Sequence, residues 1–390
     1  TKLIFYNYYG RLVLYIKLFL YIAFRNKYPA DAQLFLTSEI NNRFNHSNQN
    51  NYHTIVPIVP FHCLDKHTSS SIDFDSLCEN YLSHLAAYEN NEGDSSWWEK
   101  CRDEFQSIFL IKKKSINYDN LKNFRATNLS AAAIISDSSR LLDYRKKERI
   151  RKFNSIRLVM QYHELAERIN HNILLLNSES NVGNPPRLLY RGVYLTQRIL
   201  RYSFYLSTII DSLPFLFNKQ KLLIADIGGG YGGLVRSLTH IFPQHTYIIC
   251  ELPETLLLAE YYLKSCFSSA NILHITDINQ LKNLAEYYKN YQYIFITPDL
   301  FCRIKEISLD LTINTTSLGE MTSSAQQKYI EVIERESKYF YSVNRYSSRR
   351  EKYDTIGFSD LLFKKKWFPL KTSYTNTYHF EFLGKNLGAK

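Results

Sequence analysis

The sequence predicts an α/β fold in its C-terminal half, a mostly parallel sheet ending in an antiparallel hairpin, behind a mainly α-helical N-terminal half. Three observations predict it. A short apolar run over 222–226 leads into five glycines within positions 228–233, and a helical pattern opens at Leu234. From about residue 220 strand-type and helix-type patterns alternate, as βαβ units do. Before residue 215 the apolar residues recur at helical spacing. The boundary falls accordingly: a helical domain over 1–215 and an α/β domain over 216–390.

At 390 residues and 45% apolar content, the chain is long enough for two cores. Its net charge of +11 permits attraction to nucleic acid, anionic membrane or phosphorylated substrates, without choosing among them. The abundance of tyrosine and phenylalanine reads as compositional bias. Six cysteines without CxxC spacing read as scattered reduced thiols of a cytosolic protein.

Residues 3–24 are apolar and aromatic but interrupted by Asn7, Gly10, Arg11 and Lys17. A spanning helix needs ~20 largely uncharged apolar residues, so a span is not expected. No small-residue cleavage site follows, so neither is a signal peptide. The favoured reading is a core or homo-oligomer interface helix. The alternative is an interfacial helix placing Arg11, Lys17, Arg25 and Lys27 against lipid phosphates, a peripheral contact at the inner face of the membrane.

Residues 31–75 read as an irregular excursion, since Pro57 and Pro60 remove ladder donors. His62, Cys63, Asp65 and His67 are metal-capable, but no second cluster completes four ligands, and no metal site is expected. Helices are expected over 73–110, broken by a loop at 90–94, then over 140–176. After a loop at 181–186, helix returns over 195–210 and carries Arg198, Arg201 and Tyr202.

In the α/β half the first strand is 222–226 and its helix 234–242. A second strand follows at 246–251, with Pro253 opening the helix that continues over 255–267. Residues 272–275 and 293–297 are candidate strands, and the pattern does not say which joins the central sheet. A strand over 309–313 ends at Asn314, a helix covers 321–337 and a strand 339–344. Two last strands, 367–374 and 377–383, flank a turn at Asn376.

The glycine turn decides the chemistry. Gly228-x-Gly230-x-x-Gly233, with Glu251 eighteen residues on, satisfies the dinucleotide fingerprint. Asp226 argues against it, because a carboxylate beside a pyrophosphate is unfavourable. So does the chain that remains after residue 220, enough for one α/β domain. The letters also read Asp226-x-Gly228-x-Gly230-x-Gly232. That form resembles motif I of class I S-adenosylmethionine-dependent methyltransferases, which implies a Rossmann-like fold and S-adenosylmethionine as cofactor. Asp226 suits the cofactor's cationic groups, the backbone N–H groups of the turn suit its carboxylate, and Glu251 suits both ribose hydroxyls. The site implied comprises Asp226, Gly228, Gly229, Gly230, Tyr231, Gly232, Glu251, Leu252 and Asn314.

Cys250-Glu251-Leu252-Pro253-Glu254-Thr255, Asn314-Thr315-Thr316-Ser317-Leu318-Gly319-Glu320-Met321 and Tyr341-Ser342-Val343-Asn344-Arg345 resemble the sugar O-methyltransferase family of bacterial surface-polysaccharide gene clusters. Leu121-Lys122-Asn123-Phe124-Arg125, Val182-Gly183-Asn184-Pro185 and Leu200-Arg201-Tyr202 are similar to that family's N-terminal portion. The likeness covers roughly 95–383 and departs at Glu251, where the family has Asp. It implies a sugar or glycan acceptor, nucleotide-linked, lipid-linked or polymeric, methylated in the cytoplasm.

A sugar hydroxyl needs a general base at the C-terminal end of a strand. Glu320 is the leading candidate, with Asn344 and Arg345 to orient the acceptor and His379 as a second base. Arg198, Arg201 and Tyr202 are candidates for substrate contact from the helical half. Asn314-Thr-Thr-Ser replaces the Asn/Asp-Pro-Pro-aromatic of many amino-methylating enzymes, which favours O-methylation. Three alternatives stand beside this reading. One is an RNA methyltransferase using Arg345, Arg349, Arg350, Lys352 and Lys364 to Lys366, although no recognisable RNA-binding module accompanies them. The others are an NAD-dependent oxidoreductase and a binding protein without catalysis.

Overall fold

The computed structural model describes residues 72–88, 96–111, 115–126, 148–169, 171–218, 220–347, 357–361, 363, 366–375 and 379–388. Expectations for 3–24, His62 and His67, the loop 90–94, Arg349, Arg350, Lys352, Lys364, Lys365 and Asn376 lie outside the described residues.

The N-terminal half forms helices where its spacing implies. α1 (Phe74–Ala87) starts at Asp73, whose carboxylate accepts the N–H groups of Asp75 and Ser76. α2 (Ser96–Phe109) leads into a short antiparallel pair, β1 (Leu110–Ile111) and β2 (Ser115–Ile116), followed by α3 (Tyr118–Lys122). Of the helix expected over 140–176, residues 140–147 lie outside the described residues, and the described part forms two helices, α4 (Glu148–Ala166) and α5 (His171–Leu176). The break comes where Arg168 N–H reaches only three residues back, to the Leu165 carbonyl, and tightens the last turn.

A hairpin that the sequence reading did not anticipate follows, β3 (Leu188–Tyr190) and β4 (Val193–Leu195). Its two-residue turn places Arg191 at φ 50° and Gly192 at φ 77°. Arginine at a position that usually selects Asn or Gly concealed it. α6 (Gln197–Ser212) begins at Thr196, whose hydroxyl accepts from Ile199 N–H at 3.1 Å.

The C-terminal half alternates as expected. It runs through β5 (Leu223–Ile227), α7 (Gly233–Ile241), β6 (Thr246–Cys250), α8 (Pro253–Cys266), β7 (Ile272–Ile275), α9 (Ile278–Lys282) and α10 (Leu284–Tyr287). It continues with β8 (Tyr293–Ile296), α11 (Pro298–Cys302), β9 (Leu311–Thr315), α12 (Ser323–Glu336), β10 (Tyr339–Arg345), β11 (Trp367–Tyr374) and β12 (His379–Asn386). Both candidate strands, β7 and β8, belong to the central sheet, whose order is β11-β12-β10-β9-β5-β6-β8-β7. Only β12 runs against its neighbours, paired antiparallel with β10 and β11. The fold is Rossmann-like.

β9 begins two residues later than expected. Leu309 forms only an isolated parallel bridge, to Ser337, with its N–H on the Glu336 carbonyl, and Asp310 is tied to Leu223 both by its own N–H and by its carboxylate, which accepts Leu223 N–H at 2.9 Å. Side chains alternate between two cores, which explains the near-continuous apolar strands. Ile224, Ile249, Phe295 and Ile313 face α6, α7, α8 and the helical half, while Ala225, Ile248, Ile294 and Phe340 face α9 to α12. The chain leaves β5 for β6 on one side and returns to β9 on the other. Their C-terminal ends therefore part at a topological switch point, where open α/β sheets bind ligands.

Candidate active site

At that switch point the chain turns sharply out of β5. Gly228, Gly230 and Gly232 have φ of 68°, 58° and 81°, a region that side chains other than glycine rarely adopt. A Cβ on Gly228 would also run into the Ser317 hydroxyl, so the turn lies directly against the loop after β9. α7 opens at Gly233, so the N–H groups of its first turn have no partner within the helix.

Glu251, at the end of β6, is clamped to this turn. Its Oε1 accepts Gly230 N–H at 2.8 Å and its Oε2 accepts Leu252 N–H at 3.0 Å. Burial pushes its carboxyl up to about 7, against the opposing pull of those two N–H groups, and the neighbouring Glu320 carboxylate adds to the rise. Asp226 is 1% exposed beneath Gly229, and neither of its oxygens has a hydrogen-bond partner. Burial and then the nearby Glu251 hold it well above the usual carboxylate range. A buried carboxyl without donors is unfavourable unless a ligand supplies one.

The other lip of the crevice is the loop after β9. Asn314 is fully buried: its Nδ2 donates to the Ile227 carbonyl at 2.8 Å and to Ser317 Oγ at 2.6 Å. Its Oδ1 accepts Asn344 Nδ2 at 2.7 Å and Leu318 N–H at 3.2 Å. Asn344 Oδ1 in turn accepts Gly319 N–H at 3.2 Å. The two asparagines thus fasten β5, β9 and β10 together and fix the loop that presents Glu320. Thr316, β-branched at φ 63°, is strained there, with its N–H held by the Val343 carbonyl at 2.7 Å.

A cleft of about 660 Å³ runs over the turn, within the range of ~300–1,000 Å³ common for ligand sites. Of the residues singled out in the sequence, Gly228, Gly230, Glu251, Leu252, Glu320, Arg345, His379, Arg198 and Arg201 line it. Asp226, Gly229, Gly232, Asn314, Asn344 and Tyr202 lie behind the lining. So does Tyr231, 1% exposed, with Arg125 and Arg198 guanidinium carbons at 4.8 and 5.2 Å from its ring centre. Its side chain is therefore an anchor for the turn instead of a cleft contact. Asn344 likewise acts through the loop it holds.

The N-terminal segments noted in the sequence converge on the same anchor. Arg125 N–H donates to the Gly183 carbonyl at 2.8 Å, and its guanidinium pairs with Glu179, Nη1 to Oε1 at 2.9 Å and Nη2 to Oε2 at 2.8 Å. Glu179 also accepts the Thr196 hydroxyl at 2.6 Å, the residue that caps α6. Tyr202 packs against Gly233, where a Cβ would come within 2.7 Å of its ring. Glycine turn, buried pair and α6 form one connected unit.

The sequence reading missed the far side of the cleft. Asp299 and Cys302 of α11, Arg303 beyond it, and Lys328 and Tyr329 of α12 line it. The signal was available: Lys328, Glu331, Val332 and Arg335 recur at three- and four-residue steps on one face of an amphipathic helix.

No family model matches the sequence, and no curated protein matches it. Among solved structures, the PH0226 protein of Pyrococcus horikoshii OT3 is 14% identical, over 47% of this chain and 91% of that one, with a TM-score of 0.33. The magnesium protoporphyrin IX methyltransferase of Synechocystis PCC 6803, crystallised with bound SAM, is 14% identical over 49% and 85%, with a TM-score of 0.31. TehB of Haemophilus influenzae is 12% identical over 46% and 61%, with a TM-score of 0.31. At these TM-scores the likenesses carry no functional argument, and the site is read from its own residues.

Chemically, the cleft offers a carboxylate edge at Glu251 and an exposed carboxylate at Glu320, with the unpartnered Asp226 carboxyl buried behind its lining.

Proposed function

We propose that this chain is an S-adenosylmethionine-dependent O-methyltransferase whose acceptor is a sugar hydroxyl of a bacterial surface polysaccharide or its precursor. One observation carries the cofactor: Asp226 is buried beneath the glycine turn with neither oxygen partnered. An amino cation there supplies the missing donors, whereas a pyrophosphate would meet two carboxylates, Asp226 and Glu251. Each Glu251 oxygen keeps a lone pair after accepting its backbone N–H, enough for a ribose diol. The N–H groups opening α7 suit the cofactor's carboxylate.

When bound, the cofactor would supply an electrophilic methyl group on its sulfonium, with the thioether as leaving group. The hydroxyl proton passes to Glu320, held in place through Asn314 and Asn344. Arg345 and His379 orient the acceptor. This reading puts the enzyme in the cytoplasm. Among the described residues no helix is long and apolar enough to cross a membrane.

The test is release of S-adenosylhomocysteine from S-adenosylmethionine on adding nucleotide sugars or lipid-linked oligosaccharides. Sugar-dependent release is expected. Release with RNA and with no sugar acceptor would replace the sugar by the RNA reading.

A further inference from the structure

We infer that the acceptor carries a phosphoryl group, seated against Arg201, Arg345 and His379. The inference rests on the methyltransferase reading above and names the acceptor class of that site. Arg345 and His379 are directly opposed across β10 and β12, and Arg198 and Arg201 stand three residues apart on one face of α6. All four line the cleft, and these three elements contribute no carboxylate to the lining. The acid of β12, Glu381, is fully buried and engaged by Tyr341 Oη at 2.7 Å and Ser373 Oγ at 2.6 Å. By contrast, the α11 and α12 side mixes Asp299 and Glu331 with its cations.

Position separates the arginines. Arg198 lies over the Tyr231 ring and donates to Tyr202 Oη at 3.4 Å, so it belongs to the glycine turn. Arg201, one turn on, is exposed and hydrogen-bonds Tyr205. Glu320 sits between the two ends of the site: its charge reaches Glu251, and the preceding Gly319 lies beside Arg345, whose backbone N is 3.8 Å from where a Cβ would be. A sugar phosphate spans this arrangement, with a ring hydroxyl at Glu320 and its phosphoryl oxygens on the planar forks of Arg201 and Arg345. A neutral sugar would leave the charge of the two guanidinium groups unmatched. A cleft of about 660 Å³ is large enough to take a sugar phosphate.

The test is calorimetric titration of the S-adenosylhomocysteine-saturated protein with pyrophosphate, UDP and geranyl diphosphate. Saturable pyrophosphate binding is expected, at least about tenfold weaker in Arg201→Gln and in Arg345→Gln, with S-adenosylhomocysteine affinity within about twofold of wild type. Tighter binding of UDP than of pyrophosphate assigns a nucleotide-linked source. Tighter binding of geranyl diphosphate assigns a lipid-linked one. Several results would overturn the inference: no phosphate binding by cofactor-saturated protein, binding unchanged in both variants, loss of S-adenosylhomocysteine affinity instead, or displacement of pyrophosphate by an RNA oligomer at lower concentration. Failure of S-adenosylhomocysteine to bind the wild-type protein would instead remove the cofactor reading beneath it.

Discussion

Glu251 Oε1 accepts the Gly230 N–H at 2.8 Å, so the acid ending the second central strand is locked to the glycine turn that follows the first. The clamp fixes one edge of the crevice while Asp226, under the same turn, stays without a donor. Pre-organisation at one carboxylate and unmet demand at the other are what a tight ligand site requires.

Asp226→Asn separates ligand demand from fold. An amide removes a buried ionisable group, so the ligand-free variant should melt about 2 °C or more above wild type at pH 8. It should also bind S-adenosylhomocysteine about 10- to 100-fold more weakly. Differential scanning fluorimetry with a binding titration measures both, and a lowered melting temperature would show that the carboxylate is structurally satisfied.

The two raised carboxyls set a pH dependence. A carboxyl whose folded value exceeds its unfolded one binds more protons in the folded state, so stability falls as pH rises between the two values. For Glu251 that window runs from its ordinary 4.5 to about 7, and Asp226 acts in the same direction. Urea unfolding of the ligand-free protein at pH 5, 6, 7 and 8 should show declining stability, with a smaller decline in Glu251→Gln. A rise across this range, or an identical slope in the variant, would contradict the assignment.

Asn344→Ala should act on the loop instead of the cofactor. It leaves Asn314 Oδ1 and Gly319 N–H each one partner short, at a cost of about 1–3 kcal/mol in stability. Turnover should drop with Glu320 displaced, while S-adenosylhomocysteine affinity stays within about threefold. Unfolding curves and titration together check this, and a parallel loss of affinity would mean the asparagine supports the turn itself.

Glu320→Gln should lose about 10²- to 10⁴-fold in turnover and keep cofactor affinity. Glu320 also raises Glu251, so the variant should lower the Glu251 carboxyl, visible as a shift in the pH dependence of ligand binding. Wild-type turnover would transfer the base to His379.

Much of the α/β half was legible because its code is local. Apolar runs buried on both faces, Pro253 at a helix start and glycines at positive φ each announce themselves within a few residues. Asp226, Gly228 and Glu251 could be picked out for the same reason. Long-range hydrogen bonding was not legible. Asn314 and Asn344 stood out as site residues, yet their role is to join three strands, with Asn314 bonded to Ile227 and to Asn344 across 87 and 30 residues of sequence. Tyr231 occupies a cofactor-motif position, but its ring turns into a pocket made by Arg125 and Arg198, which only the folded helical half supplies. The α11 and α12 wall was missed because cations on an amphipathic helix read as a solvated face.

On the proposed reading, the unpartnered Asp226 receives the amino cation of S-adenosylmethionine. Titrating the wild-type protein with S-adenosylhomocysteine by calorimetry, in two buffers of different ionisation enthalpy at pH 6, tests it most directly. Because an ammonium partner favours the charged carboxylate, binding should release a proton and the apparent enthalpy should differ between buffers. Asp226→Asn should lose most of that difference, and NAD should give no heat. Heat from NAD with none from S-adenosylhomocysteine, or binding with no proton release in the wild type, would contradict the account.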